Sequence, residues 1–260
     1  MNEILDCAGS FAREISGVLG DNLLSVCLYG SAVLDDYRDG WSDIDLICFT
    51  KEPPLPQQAE KLLMLRQFLV ERERLPMFRK IEGAVVSIDE FLNKQYSRVV
   101  YWGTSGQRIT DSYCFDVFSA FELIRCGKTI FGDDVRSRMI LPSYDELAAG
   151  VRQHYETIRK YAKETDNSVY SCGWLLDIAR CLYTLRCGDI ISKTAAGEWA
   201  LAERLCPCES DLRMTLSVRR DPSAYLGLTK TDQWLQTLGP SVQAFADVLE
   251  RELNTRHIPE

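Results

Sequence analysis

Histidine is nearly absent from this chain: His154 and His257 are the only two in 260 residues. That shortage argues against Ser-His-Asp and Cys-His catalysis, and both histidines read as incidental, one in a helical stretch and one near the tail. Zinc is disfavoured too, because the ten cysteines include no C-x-x-C pair and the closest spacing is Cys206-Pro207-Cys208. The cysteines are scattered, several inside apolar runs (Cys27, Cys48, Cys181), which is the pattern of reduced, buried thiols in a cytoplasmic protein rather than of a disulfide framework. No apolar run approaches the roughly 20 residues that a spanning helix needs, and the N-terminus carries early acids and helical apolar spacing rather than a signal peptide. Positive charge is in deficit, with 30 Lys and Arg against 38 Asp and Glu and a net charge of −8. A nucleic-acid footprint wants the opposite balance. The acidic balance suits a cationic small substrate, and equally suits plain solubility. The expectation is a monomer that engages neither nucleic acid nor membrane.

What is present is an ordinary globular composition, 46% hydrophobic and 26% charged, in a length that suggests one large domain or two modest ones. Ile4, Leu5, Ala8, Phe11, Ala12, Ile15 and Leu19 recur at helical spacing in the first twenty residues. Leu23–Tyr29 and Ile44–Phe49 are short apolar runs of strand character, and a helix follows over 57–74. Residues 79–88 read as a third strand and 89–96 as a short helix. Residues 101–116 read as a loop, 115–126 as a helix, and 128–134 as a short strand and turn. Leu141-Pro142-Ser143 marks a boundary, with Ser143 and Glu146 spaced as a capping box. Beyond it helices are expected over 144–165, 169–187, 193–205, 209–219 and 231–253, the last interrupted by Gly239-Pro240. The domains are therefore 1–140, a mixed sheet flanked by helices (α/β), and 141–260, an all-α bundle.

Chemistry concentrates at the first two strands. Gly30-Ser31 closes one, and Asp43 and Asp45 open the other. Strand side chains alternate, so both carboxylates point to one side. Glycine lets backbone approach a phosphate, serine adds a hydroxyl, and Mg²⁺ takes carboxylate oxygens together with phosphate oxygens of its substrate. Glu82 is a lone acid within the apolar third strand, a local inconsistency of the kind that marks function. Tyr101, Trp102, Asp111 and Asp116 are either acceptor-pocket residues or plain loop packing.

Gly30-Ser31 followed by Asp43-Ile44-Asp45 resembles the signature of the DNA-polymerase-β-like nucleotidyltransferases. The stretch 172–205 resembles the C-terminal domain of the streptomycin/spectinomycin adenylyltransferases: Arg180 on a helix, a turn at Gly188, Lys193 opening the next helix, then Ala195-Ala196-Gly197-Glu198-Trp199-Ala200. The resemblance implies ATP and Mg²⁺, with Asp43, Asp45 and Glu82 as catalytic and metal-binding carboxylates. Gly30, Ser31, Arg180 and Lys193 would hold the triphosphate. Glu82 would deprotonate an acceptor hydroxyl or ligate a second metal. Arg180 has an alternative partner in Asp177 three residues earlier, and Lys193 could be a solvated first-turn residue. Streptomycin-using members carry an Asp ten residues before this Arg, where this chain has Tyr170. Their loop Trp stands farther from the Glu than Trp102 does. The implied reaction is transfer of AMP from ATP to an aminoglycoside or aminocyclitol hydroxyl, spectinomycin favoured over streptomycin. Trp102, Asp111, Asp116, Tyr170 and Asp177 are the acceptor candidates.

Overall fold

The computed structural model describes residues 2–73, 76–103 and 106–255. Arg74, Thr104-Ser105 and His257, which the readings above touch, lie outside the described residues. The chain divides into two compact units, one of residues 1–35 and 42–141 and one of residues 36–41 and 142–260. The six residues 36–41, inside the segment that joins Gly30-Ser31 to Asp43, thus belong to the helical unit; nothing in their composition announces it.

The described residues of the first unit form a six-stranded mixed sheet flanked by helices. In chain order its strands are β1 (Leu23–Tyr29), β2 (Ile44–Thr50), β3 (Ile81–Ser87), β4 (Val99–Gly103), β5 (Gly106–Thr110) and β6 (Lys128–Gly132). Their spatial order is β5-β4-β3-β2-β1-β6. Among the described residues only the β2–β3 pair is parallel, joined through the crossover helix α2 (Pro56–Glu73). Strands β1, β2 and β3 are buried almost throughout, which is why they read as continuous apolar runs rather than alternating ones. On one face Cys27, Tyr29, Ile47, Phe49, Ala84, Val86 and Val99 form a core with Leu123 of α4 (Val117–Cys126) and Phe91 of α3 (Ile88–Asn93). The other face is covered by α1 (Asn2–Leu19) and α2. Helix α1 buries Ile4, Ala8, Phe11, Ala12, Ile15 and Leu19, the stripe its spacing demands.

The expected loop over 101–116 is a correction. Its first part is a β4–β5 hairpin in which Tyr101 pairs with Arg108 and Trp102 with Gln107. The β-branched and aromatic run Val99-Val100-Tyr101-Trp102 carries β4, and the glycines and polar residues that follow it hid that signal.

In the second unit α5 (Tyr144–Tyr161) opens with the capping box that Ser143 and Glu146 promised. Helix α6 (Val169–Cys187) is central, buried on nearly every side, and packs against α5, α7 (Lys193–Ala202), α8 (Glu209–Arg220) and α11 (Gly239–Thr255). The α9 (Pro222–Tyr225) turn and α10 (Thr229–Leu235) lie between the last two. The single helix expected over 231–253 is two, since Gly239-Pro240 starts α11 instead of interrupting a longer helix. Proline suits a first turn, where its missing N–H has no intrahelical partner to lose. Among the described residues no helix is long and apolar enough to cross a membrane.

Candidate active site

The sheet brings Asp45 and Glu82 together. They are register partners on the parallel strands β2 and β3, so their side chains leave the same face side by side. On β1 the partner of Asp45 is Tyr29. All three lie at one end of the sheet, where Tyr29 belongs to the apolar core of that face and the two acids stand at its edge. Burial, then the Asp45 carboxylate among nearby charges, pushes the Tyr29 phenol well above its ordinary pKa, so it stays neutral. Asp43 stands two residues before Asp45, half-buried like Asp45 and Glu82.

Gly30 follows Tyr29 with φ +70°, and a Cβ there would overlap the Asp45 carboxylate. The turn therefore needs glycine twice, for its left-handed backbone and for the space Asp45 occupies. Beside it the Ser31 hydroxyl is buried with no hydrogen-bond partner among the described residues. A buried hydroxyl without a protein partner is a group that a polar ligand can satisfy. Among the described residues no three His, Cys, Asp or Glu side chains converge as a ready metal cage. Mg²⁺ does not require one, because it is held by one or two carboxylates, waters and substrate phosphates. Asp43 and Asp45 offer the hard carboxylate donors such an ion takes, and the orphaned Ser31 hydroxyl offers a donor to phosphate.

Glu82 is engaged instead by Tyr101, whose hydroxyl donates to Oε1 at 2.7 Å. Trp102 is a correction: it is fully buried on the opposite face, its indole N–H donating to the Leu62 carbonyl at 2.9 Å and its ring edge-on to Phe11. Adjacent strand residues face opposite ways, so Tyr101 and Trp102 could not both reach the site. Asp116 is the N-cap of α4, accepting from the Phe118 and Ser119 amides, and is close enough to help raise the Tyr29 phenol. Asp111 is exposed just past β5.

In the helical unit the two expected cations share one carboxylate. Lys193 Nζ lies 2.9 Å from Asp177 Oδ1, and an Arg180 guanidinium nitrogen lies 3.8 Å from the same oxygen. Burial works to raise the Asp177 carboxyl, but Lys193 and then Arg180 outweigh it and hold it below the ordinary value. Asp177 is thus an anion that gathers cations. Tyr170, in the first turn of α6, is 62% exposed.

One constellation escaped the sequence reading. Asp36 is buried and accepts from the Thr194 hydroxyl at 2.5 Å, the Thr194 amide at 3.2 Å and Arg219 at 2.7 Å. The Arg219 guanidinium also stacks over Trp41, 5.2 Å from the ring centre. This network clamps the first turn of α7 directly after Lys193. Its members are 158 and 183 residues apart in sequence, and no local pattern reports such a pairing.

A strand–Gly-Ser–strand unit with an acid pair and a facing glutamate defines a nucleotidyltransferase. Residues 11–96 match the nucleotidyltransferase domain family, and residues 143–252 match the C-terminal domain of aminoglycoside adenylyltransferases. The chain belongs to the aminoglycoside nucleotidyltransferase family. It is 25% identical over 201 residues to a spectinomycin 9-adenylyltransferase of Staphylococcus aureus, covering 73% of this chain and 75% of that protein. A putative protein adenylyltransferase of Methanocaldococcus jannaschii is 35% identical over 63 residues, 24% of this chain and 63% of that protein. The fold is shared with a spectinomycin adenyltransferase of Enterococcus faecialis, solved with ATP and spectinomycin, at a TM-score of 0.65 and 16% identity over 93% of this chain and 97% of that one.

Proposed function

We propose that this enzyme transfers AMP from ATP to a hydroxyl of an aminocyclitol or aminoglycoside antibiotic, spectinomycin in preference to streptomycin. The observation that carries the reading is the Asp45–Glu82 register pair beside the Gly30-Ser31 turn. Two carboxylates there can divide the work, one facing phosphate and one facing the acceptor. The similarity to spectinomycin 9-adenylyltransferase, and Tyr170 in place of an acid, support the choice of acceptor.

In this mechanism Glu82 receives the acceptor hydroxyl proton as that oxygen attacks the α-phosphorus. The bond from the α-phosphorus to the bridging oxygen breaks, and pyrophosphate leaves with the bonding electrons. Asp43 and Asp45 would hold Mg²⁺, which when bound neutralises phosphate charge and polarises the α-phosphate. The Gly30 backbone and Ser31 hydroxyl seat the β- and γ-phosphates. Arg180 supplies a planar fork and Lys193 a point charge to the triphosphate. Positioning and electrostatics do most of the work, as in phosphoryl transfer generally.

The experiment is pyrophosphate release from ATP and Mg²⁺ with spectinomycin, streptomycin, kanamycin and lincomycin. Turnover with spectinomycin exceeding that with streptomycin is expected; silence across the panel would remove the antibiotic assignment. The similarity to a putative protein adenylyltransferase covers only a quarter of the chain, whereas the helical unit matches the antibiotic-modifying family.

A further inference from the structure

Glu82 is not left to find its own rotamer. Tyr101 on β4 donates its hydroxyl hydrogen bond to Oε1 at 2.7 Å. In the antiparallel β3–β4 ladder Tyr101 pairs with Ala84, one same-face step along β3 from Glu82, so ring and carboxylate emerge on one side of the sheet. Arg108, the register partner of Tyr101 on β5, lays its guanidinium over the ring at 4.3 Å from the centroid. Gly103, two residues beyond Tyr101, has no positive φ, so its backbone would accept alanine. A Cβ at 103 would nevertheless overlap both the Tyr101 hydroxyl and Glu82 Oε1. The missing side chain is what lets the two groups meet.

We propose that Tyr101 is a positioning residue for the general base: it fixes one oxygen of Glu82 and turns the other toward the acceptor hydroxyl, with Arg108 steadying the ring and Gly103 leaving the space. The inference rests on the reading of Glu82 as the base. A glutamate has three side-chain torsions, and a base out of place by an ångström loses much of its advantage. One short hydrogen bond removes that freedom without taking both oxygens. Trp102 cannot share the role, since it points to the other face.

The test is steady-state kinetics on the full chain with ATP, Mg²⁺ and the best acceptor from the panel. Tyr101→Phe keeps the ring, and its melting temperature is compared with the parent's. It is expected to lower kcat about tenfold, part of what a well-placed base contributes, with the KM for ATP unchanged. Gly103→Ala should lower kcat similarly by forcing Tyr101 off Oε1. Because both changes break one hydrogen bond, the double variant should be no slower than the worse single one. A kcat for Tyr101→Phe within twofold of the parent, with Glu82→Gln inactive, would overturn the positioning role and leave the base standing. Multiplying losses in the double variant would also overturn it. Near-normal turnover by Glu82→Gln would overturn both readings.

Discussion

Lys193, in the first turn of α7, reaches back to Asp177 on α6 and sets its ammonium 2.9 Å from Oδ1, with Arg180 beside the same carboxylate. A lysine at a helix N-terminus faces an unfavourable dipole, and Asp177 offsets that cost. The same carboxylate keeps two cations together that would otherwise repel. If they serve the triphosphate, Lys193→Met should raise the KM for ATP about tenfold, the worth of one charge-assisted hydrogen bond of about 1.5 kcal/mol. The KM for the acceptor should stay within twofold. An unchanged KM for ATP would confine Lys193 to pairing with Asp177.

The turn at Gly30 makes a sharper prediction. Alanine there meets a left-handed backbone, which costs about 1–2 kcal/mol, and its methyl claims the place of Asp45 Oδ2. The backbone term should appear as a modest fall in melting temperature. The displaced carboxylate should appear as a loss of turnover of about a hundredfold, since misplacing a catalytic group by an ångström costs on that order. Comparable loss in Asp45→Asn, with normal stability, would tie the effect to the carboxylate.

Stability of the helical unit should depend on the Asp36–Arg219 pair. Both side chains are no more than 3% exposed. Removing one partner of a buried pair leaves a charge without compensation, so Arg219→Met should cost about 3–5 kcal/mol in chemical denaturation. Glu209→Gln, which breaks an exposed ion pair with Arg213, should cost under about 1 kcal/mol. Burial works to raise the Asp36 carboxyl, but Arg219 and Thr194 outweigh it and hold it below the ordinary value. A carboxyl depressed in the folded state stabilises above its unfolded pKa. Parent and variant should therefore differ fully above about pH 5 and converge as the pH falls below about 3.9. A gap independent of pH would show that Asp36 is not the group responsible.

These sites differ in how far the sequence reveals them. The place of Asp45 on β2 is legible because strand character is local, whereas Asp43 stands one residue before that strand, so strand alternation does not set its direction. The place of Glu82 on β3 is legible because the apolar run around it has strand character. The limits of α6 follow from Ser168 at its start and Gly188 at its end, a side-chain cap and a left-handed stop. The Asp36 clamp is illegible because its partners meet only through tertiary folding. The Tyr101–Trp102 pair failed for a smaller reason. Both aromatics stand in the right place along the chain, and only the register of β4 on β3 decides which of them faces Glu82.

That register can be checked through Trp102. The indole fills the space between β4, α1 and α2, and its N–H donates to the Leu62 carbonyl. Trp102→Phe keeps much of the packing but loses that donor, so it should cost about 1–3 kcal/mol. Trp102→Ala should cost about 3–5 kcal/mol. Because the side chain points away from Glu82, the phenylalanine variant, measured well below its melting temperature, should retain kcat and the KM for every acceptor within twofold. A change in acceptor KM alone, with stability unaltered, would place Trp102 in the acceptor pocket and reverse the facing of β4. Parallel measurement of Tyr101→Phe supplies the contrast, since the two variants differ by one residue in sequence and by opposite faces of one strand.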